Sequence, residues 1–284
     1  MLTRIAAGVR VHTSECIETN STVVDDGSRA LIIDPGLTTS ELIDLASGVS
    51  ALGLEVVAGF STHPDWDHAL WHPLLGDVPR YGTARAYDVL EHLRAQPDWR
   101  SQIAAGLPPE IADDVPLHLF GLLTPLSEGT VELPWDGPSV RILEHSGHAP
   151  GHAALLIEEC RVIVAGDMLS DVLVPMPDLY GDGLDPLGDY LVGLELLEQA
   201  ASGADLFVPG HGSVGDVDEL HARIAADRAY IHDLRDARTT ADARVTAPRP
   251  GWEWVRDIHE GNVERAALLR ERNVASDQSR GRDR

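Results

Sequence analysis

The chain has 284 residues, 43% of them hydrophobic and 24% charged, which suffices for a large buried core and excludes a small stapled scaffold or a disordered tail. Acidic residues outnumber basic ones 46 to 22, for a formal charge of -24, so a nucleic-acid backbone or an anionic membrane surface is repelled. Every basic residue is arginine, which removes Schiff-base catalysis and any phosphate loop built on lysine.

Strand character at 9–13, 21–25 and 30–34, with Asp26-Gly27 as a turn between the last two, predicts an antiparallel opening. Apolar Leu42, Ile43, Leu45 and Ala46 behind a Thr/Ser cap predict a helix over 39–50, followed by a strand at 54–60. Helices are expected at 83–95 and 99–107, and Pro108, Pro109 and Pro116 break up the stretch to 124. Strands return at 131–133, 140–144, 153–157 and 161–165 as a second antiparallel sheet. Helices at 185–201 and 217–234 then flank a short strand at 206–208.

No repeat and no Pro-, Gly- or Ser-rich linker divides the chain, so 1–274 reads as a single domain with C-terminal helices; the polar tail, 275–284, is expected to be disordered. Cys16 and Cys160 lie far apart in strand-like stretches and are expected to be two buried free thiols rather than a disulfide or a thiolate metal site. The N-terminus lacks the apolar run of a secretory signal, and no stretch of about 18 apolar residues occurs. The expectation is a soluble, cytoplasmic protein with no membrane or nucleic-acid partner.

Metal sites are built from His and carboxylate side chains at strand ends, where loops aim several of them at one point. Four such places occur. His63, Asp65, Asp67 and His68 follow the strand at 54–60, with the first three alternating as if to point one way from an extended turn and His68 reaching from the other side. His145, His148 and His152 have helical spacing, but Gly147, Pro150 and Gly151 make their segment a loop. Asp167 follows the apolar run 162–166, and His211 follows Pro209-Gly210 at the end of the strand at 206–208.

The ordered set His63-Pro64-Asp65-Trp66-Asp67-His68, Gly147-His148-Ala149-Pro150-Gly151-His152, Gly166-Asp167 and Pro209-Gly210-His211-Gly212 resembles the ligand motifs of the metallo-β-lactamase superfamily. Asn20-Ser21-Thr22-Val23-Val24 and Ile33-Asp34-Pro35-Gly36 also resemble that family's opening strands. The resemblance covers roughly 10–235 and implies an α/β (α+β) fold, an αββα four-layer sandwich with a two-metal site at one edge. It implies that His63, Asp65 and His148 hold the first metal, that Asp67, His68 and His211 hold the second, and that Asp167 bridges them. Asp67 is also the candidate catalytic carboxylate. The implied chemistry is attack by a metal-activated hydroxide on a carbonyl or phosphoryl centre.

One position departs from the family pattern, His-x-His-x-Asp-His: the second histidine is Asp65. Two divalent ions bring four positive charges; three carboxylates and a hydroxide cancel them, leaving a neutral centre and a weaker Lewis acid. Zinc is the expected metal, and the carboxylate-rich set opens iron or manganese. The diiron flavoproteins and a diiron oxygenase branch of the superfamily resemble this chain in placing a carboxylate there, which opens a redox alternative. Aspartate is short, so a weakened first site in a binding or regulatory member is a third reading.

His152 is read as a hydrogen-bonding neighbour and not a ligand, and His145 and His72 as nearby or surface residues. Trp66 and Trp71 pack under the metal loop or wall the pocket, and Tyr180 and Asp182 sit in a Gly-rich loop that could line its mouth. The expectation is a metal-dependent hydrolase of a small-molecule ester, lactone, thioester, amide or phosphoester. The pattern gives no oligomeric state.

Overall fold

The computed structural model describes residues 1–282 apart from 180 and 182, and side chains as far as 272. Tyr180, Asp182 and the last two residues of the tail expected to be disordered, 275–284, therefore lie outside the described residues, and 275–282 belong to the final helix.

The first sheet contains β1 (Thr3–Ala6), β2 (Val9–Thr13), β3 (Asn20–Asp25), β4 (Arg29–Ile33), β5 (Glu55–Phe60), β6 (Arg80–Gly82) and β7 (Thr124–Pro125), side by side in chain order. Its opening is antiparallel, as the hairpin signals predict, but β4–β5, β5–β6 and β6–β7 pair in parallel. Helices account for the change of direction: α1 (Thr39–Ala51) connects β4 to β5, and α2 (Ala84–Arg94) and α3 (Trp99–Ala104) lie between β6 and β7. Thr38 caps α1, and its hydroxyl and Glu41 form a reciprocal capping box.

The second sheet has the order β12–β11–β10–β9–β8, with β8 (Val140–His145), β9 (His152–Ile157), β10 (Val162–Val164), β11 (Leu206–Val208) and β12 (Gly215–Asp216). It too is mixed, since β10 and β11 pair in parallel across α4 (Pro186–Ala200). The strand expected at 131–133 does not form. Glu132 makes one isolated bridge to Arg141, Val131 remains 68% exposed, and Pro134 has no N–H with which to extend the ladder.

Side-chain alternation builds the layers. Val24, Leu31 and Ile33 of the first sheet meet Ala153, Leu155 and Ile157 of the second in the central core. Their neighbours Val23, Ala30 and Ile32 face outward onto Leu45, Ala46 and Val49 of α1. On the other side Ala154, Leu156 and Ile163 pack against Leu194 and Leu197 of α4 and Leu220 and Ile224 of α5 (Val217–Arg235). The result is the expected αββα four-layer sandwich, with two sheets face to face and helices outside.

Two further helices complete it, α6 (Ala243–Thr246) and α7 (Val255–Arg282). α7 joins the outer helix layer through the fully buried Val255 and Ala266. No helix among the described residues is long and apolar enough to cross a membrane. Neither cysteine is buried as expected: Cys16 is exposed and Cys160 half-buried, because both fall in turns and not strands.

Candidate metal centre

The four chemistry-bearing segments meet at one edge of the sandwich. Residues 61–68 leave the end of β5, 146–151 form the β8–β9 hairpin loop, Asp167 follows β10, and His211 follows β11. The first segment is wound, not extended, since the Asp65 carbonyl accepts from the N–H of His68 and of Ala69, both at 3.1 Å. Winding corrects the alternating arrangement: His63 and Asp65 face one donor set, and Asp67 and His68 face the other.

Nitrogen and carboxylate oxygen atoms of His63, His148 and Asp167 lie within 4.8 Å of one another, as do those of Asp67, His68 and His211. Asp65 joins the first set, its Oδ2 being 3.2 Å from His148 Nε2 and 3.6 Å from His63 Nε2. Asp167 lies between the sets: Oδ2 is 3.7 Å from both His63 Nε2 and His148 Nε2 and 3.1 Å from His211 Nε2, while Oδ1 is 3.0 Å from His68 Nε2. Asp67 Oδ2 lies 3.4 Å from His68 Nε2 and 3.3 Å from His211 Nε2. All seven residues singled out in the sequence thus stand together. Asp65 is the most open, with 45% of its side chain exposed.

Outer partners decide which nitrogen each imidazole offers. Nδ1 of His148 donates to the Met176 carbonyl and Nδ1 of His211 to the Ile17 carbonyl, each at 2.8 Å. Nδ1 of His63 meets Thr62 Oγ1 at 2.9 Å, and that hydroxyl donates to Asp34 Oδ2 at 2.7 Å. Asp34 Oδ2 is also 3.1 Å from His68 Nδ1, and its Oδ1 accepts from the Thr62 N–H at 2.8 Å. Every Nε2 therefore points at the centre. There His63 Nε2, His68 Nε2 and Asp167 Oδ1 are buried without a hydrogen-bond partner, an expensive arrangement unless another group satisfies them.

A metal ion fits these residues. Bonds of about 2.0–2.2 Å to nitrogen and oxygen place neighbouring ligands roughly 3–3.5 Å apart around one ion, the range that most of these donor pairs show. Charge agrees. Burial opposes ionisation of Asp167, yet the surrounding His211, His68 and His63 outweigh it and hold the carboxyl well below the ordinary range. Asp67 is held low against burial by His68 and by a hydrogen bond from His211, and Asp65 by the hydrogen bond from His148 and the nearby His63. Against the same burial, the hydrogen bond to Asp65 and the charge of Asp167 lift His148 to about 9, and Asp167 lifts His211 to about 10.

His152 and His145 form a separate pair. His152 Nε2 accepts the Asp167 N–H at 3.1 Å and its Nδ1 lies 3.1 Å from His145 Nε2. Desolvation, reinforced by neighbouring imidazoles, pushes His145 down to about 3 and His152 well below 6.5, so both are neutral. His72 caps a short 3-10 turn away from the donors. Trp71 is buried, with its indole N–H donating to the Gly76 carbonyl at 2.9 Å, and Trp66 packs in the cluster around Leu70 and Leu90.

Sequence reasoning assigned no role to Asp34, Thr19 and Asn20. Asp34 ends β4 in a left-handed conformation (φ 51°), and its one legible sign is an acid directly after a strand, before Pro35-Gly36. The Thr19 hydroxyl lies 3.4 Å from Asp67 Oδ2, and the Asn20 amide donates to the Pro209 and Gly212 carbonyls, both at 2.9 Å, clamping the loop that carries His211.

Comparison with known proteins agrees with this architecture. The chain is 26% identical over 232 residues to an atrochrysone carboxyl ACP thioesterase of Aspergillus chevalieri, a match covering 78% of this chain and 61% of the thioesterase. It is 27% identical over 205 residues to the probable metallo-hydrolase YflN of Bacillus subtilis (strain 168), covering 64% of this chain and 75% of that one. Among solved structures, a metallo-beta-lactamase family protein from Thermus thermophilus superposes with a TM-score of 0.62 at 24% identity, covering 87% of this chain and 86% of the other. That likeness speaks to the fold alone. With the family profile matching residues 15–211, from the turn before β3 to the last of the seven donors, this chain belongs to the metallo-beta-lactamase superfamily.

Proposed function

We propose that the protein is a metal-dependent hydrolase of a small-molecule ester, lactone, thioester, amide or phosphoester. His63, Asp65 and His148 would hold one divalent ion, Asp67, His68 and His211 a second, and Asp167 would serve both. The observation that carries this reading is the set of imidazoles whose Nε2 atoms turn onto shared carboxylates, with Nδ1 of His63, His148 and His211 hydrogen-bonded outward and Nε2 of His63 and His68 buried without a partner. Two related proteins named as a thioesterase and a probable metallo-hydrolase support hydrolysis as the reaction class.

When bound, such ions supply Lewis acidity toward a carbonyl or phosphoryl oxygen and make a water acidic near neutral pH. The chain supplies the rest. Asp67, low in pKa and beside Thr19 Oγ1, stays anionic and serves as a donor to the second ion. The neutral His145–His152 pair adds no charge and fixes the Asp167 backbone through the His152 Nε2 contact. Four imidazoles favour zinc, while three carboxylates bring iron or manganese within range.

One observation favours a second reading, a diiron oxidoreductase: Asp65, short as it is, reaches His148 Nε2 at 3.2 Å and so offers the first set a carboxylate. Chelator-stripped protein, reloaded with zinc or iron and assayed on an ester, lactone and thioester panel with and without oxygen, separates the two. Zinc-restored hydrolysis under nitrogen is expected. Oxygen-dependent turnover with visible absorption would move the assignment to redox chemistry, and full metal loading without turnover would make the chain a binding or regulatory member.

A further inference from the structure

Beside the centre, a cavity of about 490 Å³ opens between α2 and α7, within the roughly 300–1,000 Å³ of small-molecule sites. Pro64, Asp65 and His148 form its inner end, so it begins at the first donor set. Its walls are apolar: Val89 and Leu93 come from α2, Met176 and Pro177 from the loop after β10, and Ile258 from α7. The wall from α7 lies beyond residues 15–211, the part matched to the family.

Beyond the donor set, the charge that lines this cavity is acidic. Beyond Asp65 and His148, which belong to the donor set, the ionisable lining groups among the described residues are Asp178 and Asp257, with no arginine. Arg85, at the start of α2, stands outside the lining and donates to Ser146 Oγ at 3.2 Å, close enough that its charge acts on Asp178. α7 is pinned in place, since the Asn262 amide donates to the Pro175 carbonyl at 2.9 Å and to the Tyr230 hydroxyl at 3.1 Å.

Resting on the hydrolase reading, we propose that this cavity takes the part of the substrate beyond the scissile group, and that this part is apolar and neutral or cationic, never anionic. A second carboxylate, phosphate or sulfate would face Asp178 and Asp257 in an apolar cleft, with no guanidinium in the described lining to receive it. In the reaction, the water oxygen bonds to the acyl carbon and the bond from that carbon to the alcohol or thiol breaks. The leaving group takes one proton, and the new acid releases the other. The product thereby gains a negative charge in an acid-lined cavity, which favours its departure.

The test uses three phenyl esters of one acyl length, ending in methyl, trimethylammonium or carboxylate, on the zinc-loaded full chain. The expected result is kcat/KM for the cationic ester at least about tenfold above that for the anionic one, a gap that narrows as salt screens it. The double substitution Asp178→Asn with Asp257→Asn should collapse the gap, with the methyl ester as internal reference for folding and chemistry. Equal or better turnover of the anionic ester, or a gap that survives both substitutions, would overturn the proposal while leaving the hydrolase reading intact. Absence of metal-dependent turnover of all three, and of the ester, lactone and thioester panel, would overturn the hydrolase reading, and this inference with it.

Discussion

His148 and Met176 share a hydrogen bond of 2.8 Å from the imidazole Nδ1 to the backbone carbonyl, and it fixes which nitrogen faces the centre. The preceding carbonyl, Pro175, accepts from Asn262 of α7, so a donor residue and the cavity wall hang on adjacent peptides. Asn262→Leu leaves the Pro175 carbonyl and the Tyr230 hydroxyl each short of a partner. Loss of about 1–3 kcal/mol of stability is expected, read by urea denaturation, together with weaker metal binding in a competition titration.

Asp34 tests the outer partners more directly, since it accepts from Thr62 twice and lies against His68. Removing such a partner lowers metal affinity by about 10–100-fold in comparable sites. Asp34→Ala should show that loss. Asp34→Asn should be the more stable of the two by about 1 kcal/mol, because φ at this position is 51° and asparagine tolerates the left-handed region better than alanine.

Gly210 faces the shared carboxylate at close range. A Cβ there would stand 1.9 Å from Asp167 Oδ1 and 2.9 Å from the Gly166 carbonyl oxygen, and its own N–H donates to that carbonyl at 2.5 Å. Gly210→Ala should therefore displace Asp167 and abolish binding of the second ion. Elemental analysis of the folded variant, checked by circular dichroism, reads the outcome.

Protonation of the metal-free protein gives a pH profile with a definite sign. His148 and His211, lifted to about 9 and about 10, and His68, lifted well above 6.5 against burial by Asp167 and its neighbours, bind protons more tightly folded than unfolded. Their contribution is complete below 6.5 and is lost as pH rises through 9 to 10. Buried His145 and His152 act oppositely, because the unfolded chain takes protons below 6.5 that the folded one refuses, down to about 3 at His145 and well below 6.5 at His152. The depressed Asp65, Asp67 and Asp167 add a loss below the ordinary carboxylate value. The urea midpoint of chelated protein should thus peak near pH 6.5 and fall on both sides.

The same protons compete with the metal. Binding at pH 7 should release protons from His148 and His211, seen as a calorimetric enthalpy that varies with the ionisation heat of the buffer, and apparent affinity should rise with pH up to about 9–10. Affinity that is flat across that range would contradict the protonation scheme.

How much of this was legible in the sequence depended on whether a residue's role is local. β9 reads correctly because both of its faces are buried, Ala153, Leu155 and Ile157 inward and Ala154 and Leu156 outward, which yields an unbroken apolar run. β6, β7 and β12 are two or three residues long and carry no period to detect. The donors stood out because His and Asp cluster at strand ends. Their outer partners did not, since a backbone carbonyl such as Met176 or a lone acid such as Asp34 acquires its role only when distant loops meet. The direction of the Asp65–His68 turn was likewise invisible until its backbone hydrogen bonds were formed.

The central claim is that seven side chains make one two-ion centre with Asp65 as a working member. Metal content per chain, measured by elemental analysis on protein purified without added metal and on Asp65→His beside it, tests that claim most directly. The account predicts close to two divalent ions per chain, zinc foremost, in the protein as it stands. One ion that rises to two only in Asp65→His would remove Asp65 from the centre, and no stoichiometric metal in either form would contradict the account.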